Sequence, residues 1–214
     1  MGYEWSKNME HVPFGLILQN GKKMSTRKGK IVLLEKVIEE AISLANKNIT
    51  DKNPNLKNKD EVAKMVGVGA IIFQDLKNDR MNNIEFSLDQ MLKFEGETGP
   101  YVQYSIARTN SILDKASSQD LNKQDGLDDS YSWDIIKHIL EFPNKVTRSF
   151  AQFEPSVIAK YTIDLAQSFN KYYGNTHILT NDDQLESRLA LIKVVSIVLE
   201  EGLRLLGIRA PKEM

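Results

Sequence analysis

Residues 185–206 allow fewer folds than any other part of the chain. Leu185, Leu189, Ile192, Ser196, Leu199, Leu203 and Leu206 recur at alternating spacings of four and three, so they share one face of an α-helix. Leu191, Val195, Val198, Gly202 and Leu205 form a second stripe with the same rhythm. A helix with two apolar stripes cannot rest on a surface with one side in water; other helices must surround it. The spacing therefore predicts a helical bundle with this segment at its centre. The helix starts near Asp182 and stops at Gly207, a residue suited to the left-handed cap position.

Upstream segments supply the partners. Pro155 opens a helix that ends near Gly174, because proline is tolerated in a first turn. Ser132–Phe142 reads as a helix that Pro143 breaks or kinks before a further piece, Val146–Phe153. Thr98 can cap a helix with Pro100 in its first turn, continuing to about Ala116. Residues 115–130 are a polar stretch between helices. Earlier still, Leu34, Val37, Ile38, Ala41, Ile42 and Ala45 give one apolar face to a helix from about Leu33 to Asn46. Thr50–Lys59 reads as a connection, and Asp60–Lys77 as a second helix. Gly67 and Gly69 weaken that helix and predict close approach by a neighbour. Phe14–Leu18 reads as a short buried strand, and everything beyond Asn83 reads as helical. The expectation is a mainly α fold: a strand–loop–helix unit over residues 1–82, then a helical bundle over 83–214. A lone strand is not a stable unit, so this beginning predicts a piece of something larger.

Lys22-Lys23-Met24-Ser25-Thr26-Arg27-Lys28-Gly29-Lys30 places five cations within nine residues, with no acid among them. Gly21 and Gly29 bound the run, which suits a loop that grips phosphate, although a solvated charge run has the same composition. The rest of the chain is nearly neutral, with a net charge of −1, so any polyanion must be held by local patches and not by a global field. There are no cysteines, which excludes disulfides, thiolate metal sites and cysteine nucleophiles. This fits a reducing cytoplasm. No apolar run is long enough to span a membrane. His11, His138 and His177 lack metal-ligand spacing, and Asp128-Asp129 and Asp182-Asp183 read as solvated or capping acids.

A second constellation lies at Phe94–Ile112. Tyr101, Tyr104 and Arg108 share one helical stripe beside the packing face of Val102, Ile106, Thr109 and Leu113. Spacing leaves two readings open. The tyrosines are half-buried packing residues with Arg108 ion-paired, or rings and guanidinium together stack bases and meet phosphate.

Lys23-Met24-Ser25-Thr26-Arg27 resembles the KMSKS loop of class I aminoacyl-tRNA synthetases, and the continuation Lys28-Gly29 is similar to the arginyl-tRNA synthetase variant. Thr98-Gly99-Pro100-Tyr101, Gln103-Tyr104 and Ala107-Arg108 resemble the start of that family's anticodon-binding domain. Phe169-Asn170, Tyr172-Tyr173 and Gly207-Ile208-Arg209-Ala210-Pro211-Lys212-Glu213-Met214 resemble its end. The resemblance implies the C-terminal part of an enzyme that joins arginine to its tRNA through an arginyl-adenylate, using ATP with magnesium. It implies that Lys23, Met24, Ser25 and Thr26 meet the nucleotide, and that Lys23, Ser25, Arg27 and Lys28 stabilise departing pyrophosphate. Thr26 stands where most class I enzymes carry a second lysine, so Arg27, Lys28 or a lysine elsewhere in the enzyme must supply that charge. Tyr101, Tyr104, Arg108, Met214 and one of Tyr172 or Tyr173 are implied tRNA contacts. No metal ligands are implied within the chain. The family's HIGH-type ATP motif and arginine pocket lie upstream of these motifs, so the chain alone is expected to be inactive. A free-standing tRNA-binding module, a cysteinyl-tRNA synthetase and a helical interaction scaffold are the alternatives. The Ser-Thr-Arg-Lys-Gly continuation and the Ile-Arg-Ala-Pro ending speak against the cysteinyl enzyme.

Overall fold

The computed structural model describes residues 2–19, 21–23, 33–116 and 126–214. In chain order these hold a 3₁₀ turn (Glu4–Asn8), β1 (Ile17–Gln19), β2 (Lys22–Lys23), α1 (Leu34–Lys52) and α2 (Lys59–Leu76). Then come β3 (Ile84–Glu85), α3 (Leu88–Met91), α4 (Gly99–Lys115), α5 (Ser130–Gln152), α6 (Ser156–Asn175) and α7 (Leu185–Leu205). The protein is mostly helical with one small sheet.

Helix α7 is the central member of the bundle and packs on α4, α5 and α6. Leu189, Ile192, Leu199 and Leu203 of the first stripe and Val195 of the second are at most 1% exposed. The second stripe ends sooner than its spacing suggests, with Leu205 exposed. Gly207 sits at φ 74. Its N–H donates to Arg204 O, and the Ile208 N–H donates to Leu203 O, each at 2.9 Å. These paired bonds satisfy two of the last carbonyls of the helix and fold Ile208 back onto buried Leu203.

The apolar interior divides in two. The larger core gathers side chains from α4 to α7, and a smaller one lies between α1, α2 and α3. Helix α2 serves both, because Val66 and Ala70 enter the smaller core while Phe73 enters the larger. The expected close approaches at its glycines are present. A Cβ on Gly67 would lie 2.8 Å from Ile42 N, and one on Gly69 would lie 2.8 Å from Gln103 Nε2. Gln103 is fully buried and donates to Met65 O (3.2 Å) and Arg209 O (2.7 Å), tying α2, α4 and the C-terminal tail together.

Four expectations are corrected. Pro143 does not break its helix; α5 runs unbroken from Ser130 to Gln152. Pro143 is exposed, and packing of Phe142 and Val146 on the core holds both halves in line. The segment after Asn83 is not wholly helical. Ile84–Glu85 forms β3, pairing parallel to β1, while β2 pairs antiparallel on the other side. Two residues carry no periodicity, and their pairing partner lies far away in sequence. The expected strand at Phe14–Leu18 is shorter and not buried: Phe14 is 84% and Ile17 48% exposed. Ile17 and Ile84 line an open apolar groove with Leu34 and Val37 of α1 and Ile71 and Ile72 of α2, which leaves Ile17 half exposed. Helix α1 also outruns its expected end by several residues, because Ile49 still packs in the smaller core.

The sheet is fastened to the bundle through one short segment. The Arg80 carbonyl accepts from Gly15 N at 2.6 Å, and Asn83 Oδ1 accepts from Leu16 N at 2.9 Å. The Arg80 guanidinium pairs with Glu154 and donates to Phe153 O at 3.3 Å. Phe153 itself takes a left-handed conformation, φ 50, at the α5–α6 elbow. Arg80 therefore joins β1 to the bundle with both its main chain and its side chain.

A Cβ on Gly202 would overlap Thr162 Cγ2, and both residues are buried where α6 crosses α7. Gly202→Ala should lower stability by about 1–3 kcal/mol through overpacking. Adding Thr162→Ser removes that methyl while keeping the hydroxyl that donates to Ala159 O, and should restore most of the loss in denaturant titrations.

Candidate nucleic-acid interface

Helix α4 begins as its capping signal predicts, with Thr98 Oγ1 accepting from Tyr101 N at 3.2 Å. That start sets the rotation of the helix. Val102, Ile106 and Thr109 point into the core at 0% exposure, while Tyr104 is 38% exposed and Arg108 is half-buried. Helix α6 crosses nearby and contributes Asn170 and Tyr173. The Arg108 guanidinium lies over the Tyr104 ring (4.8 Å to its centroid) and over the Tyr173 ring (4.7 Å). The cation is thus held between two partly exposed aromatic rings from different helices.

Asn170 fixes this arrangement. Its Oδ1 accepts from Arg108 Nη1, and its Nδ2 donates to Tyr101 Oη (3.0 Å) and Ser105 Oγ (2.8 Å). Among the described residues Arg108 has no carboxylate partner, so its charge is not neutralised. The strip continues past Tyr104. Phe94 meets that ring edge-on at 6.4 Å, and Lys52 Nζ stands 4.5 Å from the Phe94 centroid. Lys52, Phe94, Tyr104, Arg108 and Tyr173 thus form a row of cations and rings across α1, α4, α6 and the loop before α4. Such a row can stack unpaired bases and attract the phosphates between them.

The expected site residues fall in different places. Tyr104, Arg108 and Tyr173 come together on the surface. Tyr101 is half-buried, packs against the larger core and presents its hydroxyl to Asn170, so it supports the site from beneath. Tyr172 is corrected: at 0% exposure it belongs to the core and offers no face to a ligand. The signal was available, since Ile158, Tyr161, Leu165, Phe169 and Tyr172 fall on one stripe of α6 and Tyr173 falls off it. Met214 is partly exposed and packs against the smaller core, as Phe94 does, and its main-chain oxygen accepts from Asn53 Nδ2 at 3.3 Å. It sits at the Lys52 end of the strip. Phe94 and Lys52 join the site only through tertiary packing. Nothing in the local sequence marks Asn170 as its bracket.

At the other end of the chain, Lys23 lies exposed on β2, opposite Leu18. The turn before it is pinned by Gly21 N–H donating to the Glu85 carboxylate at 3.2 Å. Met24, Ser25, Thr26, Arg27 and Lys28 lie outside the described residues. Among the described residues no group of acids and histidines could hold a metal ion, and no helix is long and apolar enough to cross a membrane. Asp129 caps α5, accepting from Tyr131 N and Ser132 N, and Asp182 is bound to Arg188.

Two family models match the chain, one at each end. Residues 1–88 match the family described as tRNA synthetases class I (R), catalytic domain, and residues 102–214 match the DALR anticodon binding domain. A class I catalytic segment joined to a helical anticodon-binding domain defines a class I aminoacyl-tRNA synthetase. Relatives and solved structures narrow the class. The chain is 61% identical over 214 residues to arginine–tRNA ligase 2 of Bacillus anthracis and 58% identical over 215 residues to an arginine–tRNA ligase of Enterococcus faecalis. In each case it matches 100% of this chain and 38% of the relative. The arginyl-tRNA synthetase of Thermus thermophilus superposes with a TM-score of 0.87 at 36% identity, covering 94% of this chain and 35% of that one. That of Plasmodium falciparum superposes at 0.81 with 27% identity, covering 95% and 35%. The chain belongs to the arginyl-tRNA synthetase family, with its DALR anticodon-binding domain and a class I catalytic segment. It spans a little over a third of the length of the relatives it matches.

Burial pushes the Tyr172 hydroxyl up to about 12 from 10.0, helped by the Asp129 carboxylate. Among the described residues that hydroxyl has no hydrogen-bond partner. The unfolded chain loses this proton first, so stability is full below pH 10 and falls as pH rises toward 12. Tyr172→Phe should leave neutral-pH stability equal or slightly higher and should flatten that alkaline fall, by at most about 3 kcal/mol, in urea midpoints measured across the range.

Proposed function

We propose that the protein serves as the anticodon-reading and pyrophosphate-stabilising part of an enzyme that ligates arginine to its tRNA in the cytoplasm, with ATP as co-substrate. The division into a catalytic end over 1–82 and an anticodon-binding bundle over 83–214 is part of this reading. One observation carries it: the uncompensated Arg108 guanidinium lies between the exposed rings of Tyr104 and Tyr173. Bases of the anticodon loop would stack on these rings, and Arg108 and Lys52 would meet the backbone between them. Tyr101 and Asn170 hold the geometry before tRNA arrives, so little ordering remains to be done on binding. Met214 would lie beside the loop at the Lys52 end.

In the catalytic step the arginine carboxylate attacks the α-phosphorus of ATP, and the bond to pyrophosphate breaks. Negative charge grows on the departing oxygens. Lys23, Ser25, Arg27 and Lys28 are assigned to meet it, stabilising the transition state more than the ground state. Met24 and Thr26 belong to the same nucleotide-binding run. Magnesium would accompany the nucleotide. The lack of cysteine fits a reducing compartment.

A stem–loop RNA carrying an arginine anticodon should bind the purified chain with affinity that falls as salt rises. Tyr104→Ala and Tyr173→Ala should each weaken binding by the loss of one stack, about 1–3 kcal/mol, and Arg108→Gln should also reduce the salt slope. Binding that ignores both salt and these variants would overturn the reading. The 214-residue polypeptide by itself should give no arginylation in a charging assay; measurable product would refute its assignment as the non-autonomous part.

A further inference from the structure

The elbow between α5 and α6 borders a cavity of about 600 Å³ that shares no residue with the cation–aromatic strip. Three segments build it: the last turns of α5, the first turns of α6 and the Asp79–Arg80 turn ahead of β3. Four cations line it, Arg80, Lys145, Arg148 and Lys160. Like charges gathered from separate elements repel one another unless something between them carries the opposite sign. Two of the four are answered, because Arg80 pairs with Glu154 and Lys145 with Glu141 at 3.0 Å. Arg148 meets only the neutral Gln152 side chain, at 3.1 Å. Among the described residues neither Arg148 nor Lys160 has a carboxylate partner.

Two further features favour an anion here. Ser156 and Val157, the first residues of the 20-residue helix α6, stand in the cavity wall, so the positive end of the helix dipole opens on it. The Arg80–Glu154 pair is made through Arg80 Nη1. Arg80 Nε is buried without a hydrogen-bond partner among the described residues, so that guanidinium keeps a donor in reserve. The acids in the lining are largely committed. Glu154 serves Arg80, and Asp79 Oδ1 accepts from Met81 N at 2.9 Å. Asp164 lies about two turns along α6 from Ser156, at the far end from the elbow.

We propose that this cavity binds a small molecule by its phosphate or pyrophosphate group. Such a group presents several charged oxygens at once, so it can bridge Arg148, Lys160 and the α6 N-terminus together, which a single carboxylate cannot. An RNA backbone carries the same charge, but the fold speaks against that source. Asp164 precedes Tyr173 by nine residues of one helix, or about two and a half turns, so the two project from opposite sides of α6. RNA held on the strip is therefore turned away from the cavity. Asp79 and Asp164 would also repel an extended polyanion, whereas a compact one can sit at the cationic end. The site is independent of the anticodon-reading and basic-loop assignments above.

The test is an amide NMR titration of the purified, isotope-labelled 214-residue chain with inorganic pyrophosphate, AMP, sulfate and an arginine-anticodon stem–loop RNA in turn. Pyrophosphate and AMP should shift the Ser156 and Val157 amides saturably. Arg148 and Lys160 are exposed, so Arg148→Gln and Lys160→Gln should keep the wild-type unfolding midpoint. Each should weaken binding about tenfold, the scale of one lost charged hydrogen bond. Lys28→Gln should leave the shifts unchanged; their loss in that variant would assign the phosphate to the basic loop and overturn the site. If neither ligand moves the two amides, or if the Arg148 and Lys160 variants bind as wild type does, the proposal is refuted. Sulfate that matches pyrophosphate in affinity would also refute it, leaving an adventitious ion only. If the stem–loop moves the same amides and competes with pyrophosphate, the phosphate belongs to RNA and the small-molecule site falls.

Discussion

Burial of α7 is the constraint on which the bundle depends. Two apolar stripes cover so much of its circumference that α4, α5 and α6 must each take a share. The hydrophobic effect sets no direction by itself; the geometry comes from how closely each neighbour can approach. Gly202 lets α6 cross α7 against Thr162, and Gly67 lets α1 lie on α2. The tail after Gly207 is then folded back beside α4 and held by Gln103. In this way the chain end is tied to the smaller core as well as to the bundle.

The cation–aromatic strip follows from that packing. Once α4 and α6 are locked against α7, the faces that cannot enter the core are turned toward each other at the surface. Tyr104 and Arg108 come from one helix and Tyr173 from the other, and Asn170 brackets them. A guanidinium in a neutral setting would seek a carboxylate; here its charge is spread over two π faces and stays available to an anion. Support from a lower layer, half-buried Tyr101 and buried Ser105, makes the site stiff although its upper layer is exposed.

Several features were readable along the chain because they are local. The Thr98 cap, the Pro155 helix start and the Gly207 stop depend on backbone groups within one turn, and each stands where expected. The Tyr101–Tyr104–Arg108 spacing and the family motifs pointed to the helix that carries the cation–aromatic strip. Local rules failed where a remote partner overruled them. Pro143 is accommodated because its side of α5 faces water and its neighbours are packed. Ile84–Glu85 becomes a strand only because β1 offers it hydrogen-bond partners. Phe14 and Ile17 of the first strand segment remain exposed, so its apolar pattern does not translate into burial.

What the amino-acid order determined by itself was a bundle centred on residues 185–205, with its helix ends, and the helices that could carry chemistry. Periodicity and capping act over a few residues, so they survive any tertiary arrangement. The tertiary structure alone decided which of Tyr172 and Tyr173 reaches the surface, and that Phe94 and Lys52 extend the strip. Adjacent helical residues point about 100° apart, so a small rotation of α6 exchanges core for surface. That rotation is set by side chains packing across helices far apart in sequence.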